Sequence, residues 1–112
     1  MAIKRYYLTK DNTLSNAFKA NLSTRATGSN MGAADILEAF VIHGQTSATI
    51  NATNAEQSRI LIEFDMDAVL ADITNGTVPS SSVDYVLKMF NAPHASTTPV
   101  SYSLDVAMVK TN

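Results

Sequence analysis

Two histidines, His43 and His94, and no cysteine make up the imidazole and thiol inventory of this 112-residue chain. An imidazole acts as a general base or zinc ligand only where carboxylates or a second imidazole converge on it. No spacing here demands that. His43 closes an apolar segment, and His94 lies in Asn91-Ala92-Pro93-His94-Ala95-Ser96-Thr97-Thr98-Pro99, where two prolines and small polar residues mark a loop. Serine, histidine and aspartate all occur, but without the G-x-S-x-G elbow that exposes a serine nucleophile. Lack of cysteine excludes thiolate chemistry, a disulfide framework and cysteine-based zinc sites.

Glu63, Asp65 and Asp67, with Asp72 nearby, form an E-x-D-x-D cluster whose oxygens could face Ca²⁺. The calcium-loop pattern requires Gly at the sixth position and Glu at the twelfth. Ala68 stands at the sixth and no Glu at the twelfth, so Asp65 is expected to cap a helix instead. Gly28-Ser29-Asn30-Met31-Gly32 lacks the Lys-Ser/Thr of a phosphate loop and reads as a turn whose glycines allow positive φ. The expectation is therefore no catalytic residue, no metal and no cofactor.

Sugar rings stack on aromatic platforms, and the candidates are Tyr6, Tyr7, Tyr85 and Tyr102, with no Trp in the chain. Tyr85 and Tyr102 fall on apolar strand faces and are expected in the core. Tyr6 and Tyr7 are left as the exposed pair. The sequons at Asn21, Asn51 and Asn75 carry weight only in a secreted chain, and residues 1–8 hold charge with no apolar run behind it. Synthesis in a cytoplasm without a signal peptide is the expectation.

Eight basic against ten acidic residues give a net charge of −2, without a block of like charge. Binding nucleic acid needs a basic patch to neutralise phosphates, so that class is disfavoured. No stretch approaches the length of a membrane span. The size fits one domain over residues 1–112.

Apolar alternation is strongest at residues 100–109, where Val100, Tyr102, Leu104, Val106 and Met108 alternate with Ser101, Ser103, Asp105 and Ala107. Residues 82–90 carry apolar side chains on both faces and read as a more interior strand. A third strand spans 58–64, with Ile60, Ile62 and Phe64 opposed to Arg59, Leu61 and Glu63. Met66, Val69, Leu70 and Ile73 then take helical spacing between Asp65 and the terminator Asn75-Gly76. Residues 35–43 suit either element and are assigned to a strand, on their β-branched end and the following Gly44. Residues 6–8 and 12–17 are weak strand candidates, 24–32 a loop and 44–57 a long exposed connection.

These elements predict an all-β fold, an antiparallel β-sandwich or jelly roll with one short helical turn. A ladder as regular as 100–109 would sit at a sheet edge unless another chain covers it or the polypeptide continues past Asn112. The expected interaction residues are Val100, Tyr102, Leu104 and Val106 by strand addition, and Tyr6 and Tyr7 within an N-terminal docking arm, residues 2–8.

Asn12-Thr13-Leu14-Ser15-Asn16-Ala17-Phe18, then Ala26-Thr27-Gly28-Ser29-Asn30-Met31-Gly32 with Asp35-Ile36-Leu37-Glu38, resembles the start of a virion protein type of tailed phages of marine bacteria. Ser58-Arg59-Ile60-Leu61-Ile62-Glu63-Phe64, Gly76-Thr77-Val78-Pro79-Ser80 and Leu87-Lys88-Met89-Phe90-Asn91-Ala92 are similar to later landmarks of that type. The order also resembles the DNRLRE domain, a jelly-roll sandwich of bacterial surface proteins. The resemblance implies a non-enzymatic virion structural or accessory protein, located in the virion and docking in multiple copies on other virion proteins. It implies further strands beyond Asn112 as well. Arg59 is expected to pair with Glu63 or Asp84, and Val78-Pro79 to set an extended approach to residues 82–90. The alternative is a carbohydrate-binding module for host-surface polysaccharide, using Tyr6 and Tyr7.

Overall fold

The computed structural model describes residues 3–46, 54–93 and 101–110. Its regular structure is β1 (Leu8–Ser15), β2 (Val41–Ile42), β3 (Glu56–Phe64) and α1 (Met66–Thr74). The strands form one antiparallel sheet in the order β1-β3-β2. Asn12 stands opposite Leu61, Thr13 opposite Ile60 and Leu14 opposite Arg59, and the register shifts between Leu8 and Lys10.

β3 forms where its alternation predicts and starts two residues earlier, at Glu56. Ser58, Ile60, Ile62 and Phe64 are half-buried while Gln57, Arg59, Leu61 and Glu63 are exposed, so the period of two separates a covered face from an open one. On the covered face Thr13, opposite Ile60, is fully buried. Its Oγ1 accepts a hydrogen bond from the Glu38 backbone N–H at 3.2 Å.

That bond explains why the strand expected over 35–43 shrinks to Val41–Ile42. The chain pairs with β3 only as far as Ser58, whose N–H donates to the Phe40 carbonyl at 3.0 Å. It then leaves the ladder and crosses the sheet face at Glu38. Beyond Ser58, among the described residues, the β2 side of β3 carries no paired strand.

α1 follows its sequence signals. Asp65 caps it, its side chain accepting from Asp67 N at 3.0 Å and Ala68 N at 3.3 Å, and Asp67 adds negative charge to the first turn. Asn75 closes the helix and Gly76, at φ 80°, turns the chain out of it. Val69 is the buried helix residue, and Val78 is the other buried hydrophobic side chain among the described residues. The Val78 N–H returns to the Asp72 carbonyl at 3.0 Å, tying the chain after the helix back onto it.

The expected second sheet is not formed among the described residues. Residues 83–93 and 101–110 make no ladder, and most of their apolar side chains are open to solvent: Val86 is 84% exposed, Phe90 82%, Val106 76% and Met108 96%. Tyr85 and Tyr102, expected in the core, are exposed too. Alternation states that a segment has a face to bury. It does not say that its own chain will bury it. Val100 and His94 lie outside the described residues, as does half of the connection expected over 44–57. The end of that connection is not exposed, since Asn54 and Glu56 are buried. The glycines with positive φ are Gly44 and Gly76 rather than Gly28 and Gly32.

Candidate assembly surface

Three features set what this surface can do: an anchored N-terminal segment, an open strand edge and two uncovered apolar segments. Lys4 Nζ lies 2.9 Å from Asp72 Oδ2, and the Tyr6 hydroxyl donates to the same oxygen at 2.8 Å. Lys4 also sits over the Tyr6 ring, 5.8 Å from its centre. Tyr6 is therefore half-buried and engaged, not one of an exposed pair, and residues 4–6 are held by their own chain rather than forming a free arm. Tyr7, pointing away, is 81% exposed.

Partial burial and the hydrogen bond to the Asp72 carboxylate push the Tyr6 hydroxyl up to about 12. The Lys4 ammonium and the Tyr6 hydroxyl hold the Asp72 carboxyl below its ordinary value. A depressed carboxylate stabilises the fold above its unfolded pKa and loses that contribution as pH falls. A raised phenol stabilises it below about pH 10 and loses the contribution as pH rises toward 12. Spectrophotometric titration of the four tyrosines should therefore show one ionising near 12, absent in Tyr6→Phe and moved back toward 10 in Asp72→Asn. Absence of any tyrosine ionising near 12 would show the clamp to be wrong.

The acidic cluster is taken up locally. Asp65 caps α1, and Glu63 pairs with Lys10 across the strands at 2.7 Å, which raises the Lys10 pKa. Arg59 stands opposite Leu14 and makes neither expected ion pair. Among the described residues no three His, Cys, Asp or Glu side chains are placed to share a metal ion. A shallow depression beside this cluster, lined by Thr9, Lys10, Glu63 and Asp65, is open to solvent.

Sequence reasoning missed the latch that fixes residues 16–26 to the start of β3. Arg25 Nη1 donates to the carbonyls of Asn16 and Ala55, each at 2.9 Å, and its guanidinium stacks 3.6 Å from the Phe18 ring centre. The buried Glu56 accepts from the Phe18 N–H at 2.7 Å. These residues are far apart in sequence, and no local pattern links them.

The open edge follows from hydrogen-bond directions. Asn16 N–H reaches the Gln57 carbonyl, so Gln57 faces β1, whereas Ser58 N–H reaches Phe40 on the β2 side. Directions alternate along an antiparallel strand. Hence Arg59, Leu61 and Glu63 turn their backbone groups to β1, and Ile60, Ile62 and Phe64 turn theirs to an edge where no strand is paired. The Tyr102 hydroxyl approaches Asn91 Oδ1 at 3.4 Å, linking the two apolar segments without a ladder.

Comparison with protein-family models, curated proteins and solved structures finds no match for the chain. No helix among the described residues is long and apolar enough to cross a membrane. What the chain can do rests on its own surface.

That surface is large for the mass. The chain presents 9745 Å², where a compact monomer of 12.0 kDa presents about 6,000 Å². Its radius of gyration is 18.4 Å, against about 13 Å for a compact domain of this length.

Proposed function

We propose that the chain is a non-enzymatic structural or accessory protein of a tailed-phage virion, in head, neck, tail or fibre, working by docking on other virion subunits. The observation that carries the docking is the pair of uncovered apolar segments, 83–93 and 101–110. A folded chain must bury enough apolar area to offset roughly 1–2 kcal/mol of backbone entropy per ordered residue. With Val69 and Val78 as its buried hydrophobic side chains among the described residues, this chain leaves most of that burial to neighbours. In this reading the β-sandwich is completed between subunits, from segments that a single copy leaves open.

The virion assignment adds the resemblance of residues 12–18, 26–32, 35–38, 58–64, 76–80 and 87–92 to the phage type. The polysaccharide reading has less support, because Tyr6 is engaged with Asp72 and leaves Tyr7 without its partner ring.

Quantitative mass spectrometry of purified particles tests the assignment, with the tryptic peptide from Ile60 to Lys88 read against a major capsid peptide. Near-stoichiometric abundance is expected of a head-decorating subunit, and a small fixed copy number of a neck, tail or fibre component. Absence from particles overturns the virion reading.

A further inference from the structure

We propose that residues 101–105 of one copy add as a strand to the open edge of β3, at Ile60 and Ile62, in a second copy of this chain. The proposal rests on the docking reading and names its partner and geometry.

Donor and acceptor match in three respects. The acceptor edge offers the N–H and C=O groups of Ile60, Ile62 and Phe64, which carry no backbone partner among the described residues, and the donor segment makes no ladder there either. Their side-chain periods also agree. Tyr102, Leu104 and Val106 share one face of the donor, as Ile60, Ile62 and Phe64 share the half-buried face of β3. Strand addition of this kind gains affinity from main-chain hydrogen bonds and selectivity from alternate side chains.

Charge then selects a register. On the opposite face, Asp105 is the donor's acidic residue within 101–110, and Arg59 makes no ion pair among the described residues. Antiparallel pairing with Asp105 opposite Arg59 places Leu104 opposite Ile60 and Tyr102 opposite Ile62. The parity is right, because Ile60 and Leu104 then exchange main-chain hydrogen bonds while Arg59 and Asp105 form the closer, non-hydrogen-bonded pair.

The area fits a second copy. Each chain carries one donor strand and one acceptor edge, and exposes about 3,700 Å² beyond a compact monomer of its mass. Obligate interfaces bury roughly 2,000–5,000 Å². Joining donor to acceptor from copy to copy gives a heterologous contact, which closes into a ring or extends as a filament.

The chain's lack of cysteine allows a direct test. A non-hydrogen-bonded antiparallel pair has a Cα separation of about 4.5 Å, within disulfide range. Arg59→Cys chains are mixed with Asp105→Cys chains under mild oxidation, after circular dichroism shows each variant folded as the parent. Leu61→Cys against Asp105→Cys reads a slip of two residues. The expected result is a disulfide between the two different chains, in excess over either self-linked product. If the parent is multimeric and neither pair cross-links, or if Arg59→Cys/Asp105→Cys in one chain closes only on itself, the strand-addition proposal is overturned and docking stands. A parent that is monomeric throughout overturns docking as well.

Discussion

Aspartate at both Leu104 and Val106 leaves the secondary structure of the isolated chain unchanged and weakens its self-association about a thousandfold. The first half follows from exposure: Val106 is 76% and Leu104 48% exposed in a single copy, so little packing is lost on folding. The second half follows from what docking would do to them. Burying a Leu or Val side chain contributes roughly 1.5–3 kcal/mol. Two such losses, with charges left at an apolar contact, come to about 4 kcal/mol, which corresponds to about three decades in Kd. Light scattering across a dilution series reads the change, and Ser101→Ala/Ser103→Ala on the opposite face serves as control with a far smaller effect. Equal association of the Leu104→Asp/Val106→Asp chain would remove residues 101–110 from the interface.

The second large effect separates neighbouring positions on β3. Leu61 faces β1 opposite Asn12, so Leu61→Pro removes a ladder hydrogen bond inside the sheet. An unmade bond costs about 1–3 kcal/mol before any backbone strain. A chain with so few buried hydrophobic side chains should lose the β1–β3 pairing altogether. Ile62, one residue on, turns its N–H to the open side, where proline is tolerated at a strand edge. Ile62→Pro should keep hydrogen-exchange protection over β1 and lose assembly. Retention of assembly by Ile62→Pro would show that the edge at Ile62 is not used, and loss of β1 protection in that variant would show the hydrogen-bond directions to be misassigned.

What the sequence made legible was local. β3 and α1 were readable because each carries a complete signal over a few residues: alternation through Ile60, Ile62 and Phe64, and apolar spacing between the Asp65 cap and Gly76. β1 was readable only in pieces, since the polar run Thr9-Lys10-Asp11 interrupts its pattern and the pairing with β3 supplies the continuity. β2 was overestimated because Glu38 leaves the ladder for Thr13, a contact across 25 residues that no pattern announces. Tyr6 was misplaced for a similar reason, its partner Asp72 lying 66 residues away.

The expected strands at 82–90 and 100–109 show a different limit. Their alternation is real, and the apolar side chains it marks stand exposed in the single copy. Periodicity encodes the demand for burial and is silent on which chain meets it. Here the demand exceeds what the single chain satisfies. The open edge at Ile60, Ile62 and Phe64 exists because the preceding segment turns away at Ser58, so supply and demand for strand pairing are left on different parts of one molecule.

The central claim is that this chain is a protomer whose burial is completed by other copies. Sedimentation equilibrium of the purified chain, over roughly 1–100 μM, tests it most directly, since an obligate contact of the proposed size should hold in that range. The account predicts a multiple of 12.0 kDa throughout the upper part of the range. A mass of 12.0 kDa at every concentration would contradict it.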